Sequence, residues 1–343
     1  MRARLRKPLG KEAVLRLAGT CLLAVFICLA LAPGASAASR YASIVIDADS
    51  GRVLHEAYAD DRKYPASLTK MMTLYLLFEA LEKRRYSIEG SLPVSARAEG
   101  MPPSKLGLRR GSKIKIRDLI LALITKSAND AAVVVAESLA KSEVEFAKIM
   151  TARAKQLGML RTEFRNASGL PNRYQKSTAR DMATLARALI RDFPQYYGYF
   201  ATSKFAYGGR SYANHNSLLK SYSGTDGIKT GYIRASGFNL VASAQRGGRR
   251  LIAVVFGGRT SRSRDSHMTD LLNRGFARIA QAVVKAPDTP RRNPFQLAER
   301  KTAPEAPLEA ALAAASPAPA TPETAAPETA VPETADDLPA ALD

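Results

Sequence analysis

Tyr64-Pro65-Ala66-Ser67-Leu68-Thr69-Lys70-Met71-Met72-Thr73 leads directly into Leu74-Tyr75-Leu76-Leu77-Phe78-Glu79-Ala80-Leu81. Proline at the start and an apolar run behind it predict a helix that opens at Pro65-Ala66-Ser67 and reaches about Leu81. Leu74, Leu77, Phe78 and Leu81 recur at helical spacing and define one face. Ser67 then lies on the first turn, and Lys70, three residues later, can return its amine to the hydroxyl on the same face. On the N-terminal side, Ser43 to Ile46 and Arg52 to His55 read as two strands joined by the Gly-bearing turn Asp47 to Gly51. On the C-terminal side, Asp118 to Ile124 and Asp130 to Leu139 read as two helices. They break at Lys126-Ser127-Ala128-Asn129, which puts Ser127 and Asn129 on an exposed connection. Thr178, with Asp181 three residues on, caps a helix over Met182 to Ile190. Lys229 to Tyr232, Phe238 to Ser243 and Arg250 to Phe256 read as strands, and Arg264 to Gln281 as a closing amphipathic helix. Strands at both ends with helices between them predict an α+β fold, an antiparallel sheet flanked by helices with a helical subdomain.

Ser67-Leu68-Thr69-Lys70 is an SxxK motif, of which about one arises by chance in a chain of this length. Ser217-Leu218-Leu219-Lys220 is indeed a second copy. Order separates the two. Ser127-Ala128-Asn129 follows Ser67 by 60 residues, and Lys229-Thr230-Gly231 follows Ser127 by 102, whereas Ser217 comes after the SxN and only 12 residues before Lys229. Ser217 is read as a decoy in a loop.

The 343 residues carry 51 basic and 31 acidic side chains, unevenly placed. Met1 to Arg16 is basic, Leu17 to Ala32 is a run of apolar or small residues, and Ala35-Ser36-Ala37 precedes Ala38. That is the layout of a secretory signal over 1–37. Sixteen residues is short for a membrane span, and the site after Ala37 favours cleavage over an uncleaved anchor. Cys21 and Cys28 are the cysteines and both lie in this segment, so the mature chain would hold no disulfide. About 250 residues suffice for a hydrophobic core instead. Residues 38–285 carry 41 basic against 20 acidic residues, a net charge of +21. In an exported domain this points to anionic envelope polymer or a carboxylate-bearing substrate. No zinc-finger spacing, RNA-binding signature or Gly-rich phosphate loop accompanies the charge, which excludes nucleic acid as a partner. From Ala286 to Asp343 the chain turns to Pro, Ala, Glu and Thr, with Pro-Glu-Thr-Ala at 322, 327 and 332, and is expected to be disordered. It contains no apolar 20-mer or amphipathic run that would anchor it to a membrane.

A serine nucleophile needs a base, usually histidine. None of His55, His215 and His267 stands in a G-x-S-x-G context, so a Ser-His-Asp triad is not indicated. A lysine serves when desolvation and a second cation lower its pKa, and Lys70 and Lys229 supply that pair. The ordered trio, extended by Lys126-Ser127-Ala128-Asn129-Asp130 and Asp226-Gly227-Ile228-Lys229-Thr230-Gly231, resembles the penicillin-recognising serine enzymes. Over about residues 40–285 the chain is similar to the low-molecular-mass penicillin-binding proteins, serine-type D-alanyl-D-alanine carboxypeptidases. The resemblance implies a β-lactamase/DD-peptidase-like fold, peptidoglycan stem peptides as substrate, β-lactams as covalent inhibitors, a periplasmic or cell-envelope location, and neither metal nor cofactor. It also implies Ser67 as nucleophile, Lys70 as general base and Ser127 as proton relay. Asn129 would bond the peptide, Lys229 supply electrostatics and Thr230 hold the terminal carboxylate. Gly231 would let substrate backbone lie close to the strand, and the N–H groups of Ser67 and Tyr232 would form the oxyanion hole. Of Arg259, Arg262 and Arg264, the last is taken as the carboxylate-binding arginine.

Two departures from the family stand out. Tyr232 occupies a position often held by histidine, and no second β-domain or amphipathic tail follows the catalytic segment. A class A β-lactamase would need a deacylating glutamate in E-x-x-x-N, and Glu163-Phe164-Arg165-Asn166 is one residue short. A DD-endopeptidase cutting cross-links, and a non-catalytic wall-binding protein, are the remaining alternatives.

Overall fold

The computed structural model describes residues 39–285; the expected signal segment 1–37 and tail 286–343 lie outside the described residues. Strands β1 (Ala42–Asp47) and β2 (Val53–Ala57) form the expected hairpin. A 3-10 turn, Ala66–Thr69, leads into α1 (Lys70–Glu82). Next come β3 (Ser91–Pro93), α2 (Ala96–Glu99), β4 (Lys113–Lys115) and α3 (Ile116–Leu121). A π-turn over Ala122–Lys126 precedes α4 (Asn129–Leu139), α5 (Glu143–Gln156) and α6 (Ala179–Asp192). After α7 (Pro194–Tyr197), the hairpin β5 (Lys204–Tyr207) and β6 (Arg210–Ala213), and α8 (Leu218–Ser221), the chain closes with β7 (Thr225–Ile233), β8 (Gly237–Arg246), β9 (Arg249–Gly258) and α9 (Ser261–Lys285).

The sheet runs β2-β1-β9-β8-β7 and is antiparallel throughout, so residues from both ends of the segment meet at its centre. Successive side chains on a strand face opposite ways, and here both faces are buried. Leu251, Ala253 and Val255 of β9 pack with Leu240 and Ala242 of β8 against Met268, Leu271 and Leu272 of α9. Ile252, Val254 and Phe256 face the other way and join the larger core of α1, α4 and α6. A strand covered on both sides reads as a continuous apolar run, which is why these strands stand out in the sequence. Thr178 caps α6 as expected, its Oγ1 accepting from Asp181 N at 3.0 Å.

Two expectations need correction. Helix α1 does not present a single apolar face: Met71, Met72, Leu74, Tyr75, Leu76, Leu77, Phe78, Ala80 and Leu81 are all buried, because the helix lies inside the molecule between the sheet side and the helical region. Ser67 and Lys70 therefore stand on a support clamped from all sides. The connection between α3 and α4 is buried rather than exposed, with Ser127 6% and Asn129 4% accessible. Residues 102–108, remote in sequence, close over it: Asn129 N donates to Ser104 O at 2.7 Å, and Ser104 Oγ to Lys126 O at 2.8 Å.

Candidate active site

The 3-10 turn at the head of α1 presents Ser67, and the buried Lys70 follows on the same side. Lys70 Nζ donates to Ser67 Oγ at 3.2 Å, to Asn129 Oδ1 at 2.8 Å and to Ser168 O at 2.5 Å. Three acceptors fix the amine, while complete burial and the nearby Lys229 hold its pKa well below the usual lysine range. An amine whose charged form is disfavoured by burial and by a neighbouring cation, and which touches a serine hydroxyl, can accept its proton once neutral.

Ser127 ends the π-turn in a left-handed conformation, φ 59° and ψ 39°. For a residue with a β-carbon this is strained, and such strain collects at functional positions. Its buried Oγ has no hydrogen-bond partner among the described residues, a donor and acceptor left for something entering the cleft. Asn129 is fixed from both ends, its Nδ2 donating to Pro102 O at 3.0 Å while its Oδ1 holds Lys70. Asp130 beside it is fully buried and collects the N–H groups of Leu106, Gly107 and Leu108 at 2.8–3.1 Å, tying segment 102–108 to α4.

Strand β7 brings the third motif in as the sheet edge. Lys229 is 1% exposed and donates to Thr230 O at 2.9 Å; burial, then the Arg264 guanidinium, push its pKa down to about 7. Thr230 lines the cleft. A β-carbon on Gly231 would lie 3.0 Å from Pro65 O and 3.1 Å from Ser67 N, so the missing side chain lets β7 reach the chain's own nucleophile turn. Tyr232 is 54% exposed, its ring 4.4 Å from that of Phe238. Arg264, at 3% exposure, donates through Nε and Nη2 to Asp265 Oδ1 at 2.8 and 2.6 Å, and through Nη1 to Asn239 O at 3.3 Å.

Ser67, Ser127, Asn129, Thr230, Gly231, Tyr232 and Arg264 share one cleft of about 500 Å³. Lys70 and Lys229 lie buried behind its wall, and no carboxylate lines it among the described residues. Ser217 is elsewhere: it is exposed, and its hydroxyl donates to Asp265. Glu163, the residue a β-lactamase reading would need, faces away and pairs with Arg62 at 3.6 Å and with Arg165.

Further residues complete the site, of which Asn239 is not singled out by the sequence. Asn239 donates through Nδ2 to Tyr64 O and Pro65 O at 3.0 and 3.3 Å and accepts from Gly257 N at 3.1 Å, fixing the nucleophile turn against β8. One signal was available, a lone amide in the apolar run Phe238-Asn239-Leu240-Val241. The loop Asn166 to Leu170 supplies Ser168 O to Lys70, and its Gly169, at φ +88°, lies where a β-carbon would meet Ala66 O at 1.9 Å. His215 stands at the cleft rim, its pKa lowered by desolvation and by Lys229 and Lys126.

Residues 30–260 match the family model described as D-alanyl-D-alanine carboxypeptidase. The chain belongs to this family. It is similar to D-alanyl-D-alanine carboxypeptidase DacF of Bacillus subtilis, 35% identical over 246 residues, covering 68% of this chain and 61% of the relative. It is likewise similar to D-alanyl-D-alanine carboxypeptidase DacA of Escherichia coli K12, 39% identical over 251 residues, covering 71% and 62%. Among solved structures, penicillin-binding protein D2 of Listeria monocytogenes in a cefotaxime-bound form superposes with a TM-score of 0.63 at 32% identity, covering 68% of this chain and 96% of that one. The fold is thus that of the penicillin-binding members of the family. The chain spans about three-fifths of the length of the curated relatives it matches.

Proposed function

We propose that the protein is a serine-type D-alanyl-D-alanine carboxypeptidase that removes the terminal D-alanine from peptidoglycan stem peptides. The observation that carries this reading is the contact of Lys70 Nζ with Ser67 Oγ at 3.2 Å, made by a buried amine held below its usual pKa. Ser67 Oγ attacks the carbonyl of the penultimate D-alanine as its proton passes to Lys70. The N–H groups of Ser67 and Tyr232 receive the oxyanion. As the intermediate collapses, the C–N bond breaks and the unpartnered Ser127 hydroxyl relays a proton to the departing amine. Water then cleaves the ester and restores Ser67. Thr230 and Arg264 bind the terminal carboxylate, for which a cleft with no lining carboxylate is suited, and Asn129 bonds the peptide. Neither metal nor cofactor takes part.

β-Lactams enter the same reaction: Ser67 opens the lactam ring, and the leaving nitrogen stays tethered to the acyl group. The likeness to a penicillin-binding protein solved with cefotaxime supports this. We further propose an exported protein with residues 1–37 as signal, 38–285 as catalytic domain and 286–343 as tail, acting at the cell envelope. Among the described residues no helix is long and apolar enough to cross a membrane. Incubation with a pentapeptide muropeptide and with cross-linked dimers, followed by weighing the products, tests the assignment. Loss of one alanine from the monomer is expected; cleavage of dimers alone would mark an endopeptidase, and no reaction with either would leave a wall-binding protein.

A further inference from the structure

Segment 84–118 contains nine basic residues against three acidic ones, Glu89, Glu99 and Asp118. Its two-stranded ribbon gives that imbalance a geometry. In β4 Ile114 turns inward and is buried while Lys113 and Lys115 on either side of it are exposed; Arg117, in the first turn of α3, is exposed just beyond them. The paired residues Ser91 and Pro93 of β3 are exposed opposite Lys115 and Lys113, so no acidic group stands among the paired residues of the outer face; the exposed Glu89 lies just before β3. Arg109 and Arg110 extend it at the loop. None of these five cations is engaged in an ion pair among the described residues.

The ribbon is continuous with the cleft. Pro103 and Ser104 line it, and the next residues, Leu106 to Leu108, are pinned to Asp130 beside Asn129; Arg109 follows immediately. We propose that the exposed face of this ribbon is a docking strip for the carboxylate-bearing peptidoglycan polymer, holding one part of the strand while a stem peptide enters the cleft. Stem peptides carry free carboxylates along the polymer, and a row of unpaired cations leading to the site raises their local concentration. A bilayer is the less suitable occupant, because among the described residues the exposed large apolar side chains are Val53, Tyr58, Val144, Leu160, Tyr174 and Tyr232, none on the ribbon.

This inference rests on the carboxypeptidase reading, and the experiment separates the two. Full-length protein and the combined Lys113→Gln, Lys115→Gln, Arg117→Gln variant are compared in three assays: acylation by benzylpenicillin, cosedimentation with purified insoluble peptidoglycan, and cosedimentation with vesicles containing anionic phospholipid. The variant is expected to be acylated at a rate within about twofold of wild type. It should bind peptidoglycan at least about tenfold more weakly at low ionic strength, with the difference shrinking as salt rises. Unchanged peptidoglycan binding, absent binding by the wild type, or a loss confined to vesicles overturns the strip. If the wild type is not acylated at all, the carboxypeptidase reading fails instead. Should the triple variant not fold, the pair Arg109→Gln, Arg110→Gln on the loop is read in the same assays with the same expectations.

Discussion

Replacing Arg264 with glutamine should move the alkaline limb of Ser67 acylation to higher pH. Lys70 and Lys229 are both buried, and both amines are held below the usual lysine range. Burial and the Lys229 charge hold Lys70 well below the usual lysine range, while burial and Arg264 bring Lys229 down to about 7, and the two titrate as a coupled pair. The productive form has Lys70 neutral and Lys229 charged. Acylation therefore rises as pH climbs through the Lys70 transition and falls as Lys229 is discharged, giving a bell-shaped profile. Lys229 is lowered from 10.5 to about 7, with burial the larger cause and Arg264 the second. At 1.36 kcal/mol per unit the whole effect is about 5 kcal/mol. Removing Arg264 should restore less than half of it, an upward move of at most about 1.5 pH units. The assay is the second-order rate constant for benzylpenicillin acylation across the pH range. The variant's maximum will be lower, because a carboxylate partner is lost, but the position of the limb is the readout. A limb that stays in place or moves down would refute the assignment of Lys229 to it.

The same burial makes Lys229 a stability liability. A folded pKa below the unfolded value means that the unfolded chain binds more protons between about pH 7 and 10.5, so stability should rise with pH through that window. Lys229→Met should raise the melting temperature at neutral pH, by a few kcal/mol in stability, while suppressing acylation, and its advantage should vanish above about pH 10.5; a variant less stable at pH 7 contradicts this. Lys70→Arg should lower acylation by about three powers of ten, since guanidinium cannot take up the Ser67 proton, and a rate within tenfold of wild type would reduce Lys70 to a positioning charge. Gly169→Ala drives a β-carbon into Ala66 O and strains a left-handed backbone, so the urea midpoint should fall by the equivalent of 2 kcal/mol or more. Acylation should fall with it as the Ser168 carbonyl shifts from Lys70, and a neutral result would show that the Asn166 to Leu170 loop does not support the site.

The strands and the closing helix were legible because alternation and continuous apolar runs are local properties, and β8, β9 and α9 satisfy them within their own spans. The trio was legible because its order restricts chance more than any single motif does. What could not be read was which loop covers which residue. Ser127 and Asn129 follow a helix break, a signal normally associated with the surface, and they are buried only because residues 102–108 are held over them by Asp130. The close approach of β7 to Pro65-Ala66-Ser67 at Gly231 joins segments far apart in sequence, which no local pattern announces. Asn239 escaped for a related reason: its partners are backbone carbonyls of Tyr64 and Pro65, and main-chain atoms leave no residue pattern to match.

The central claim is that Ser67 is the acylated nucleophile. The most direct test is to treat the full-length protein with benzylpenicillin, digest it and weigh the peptides. The account predicts one penicilloyl group on the peptide carrying Ser67, none on the peptide carrying Ser217, and no adduct in Ser67→Ala. An adduct on any other serine, or labelling that survives in Ser67→Ala, would contradict it.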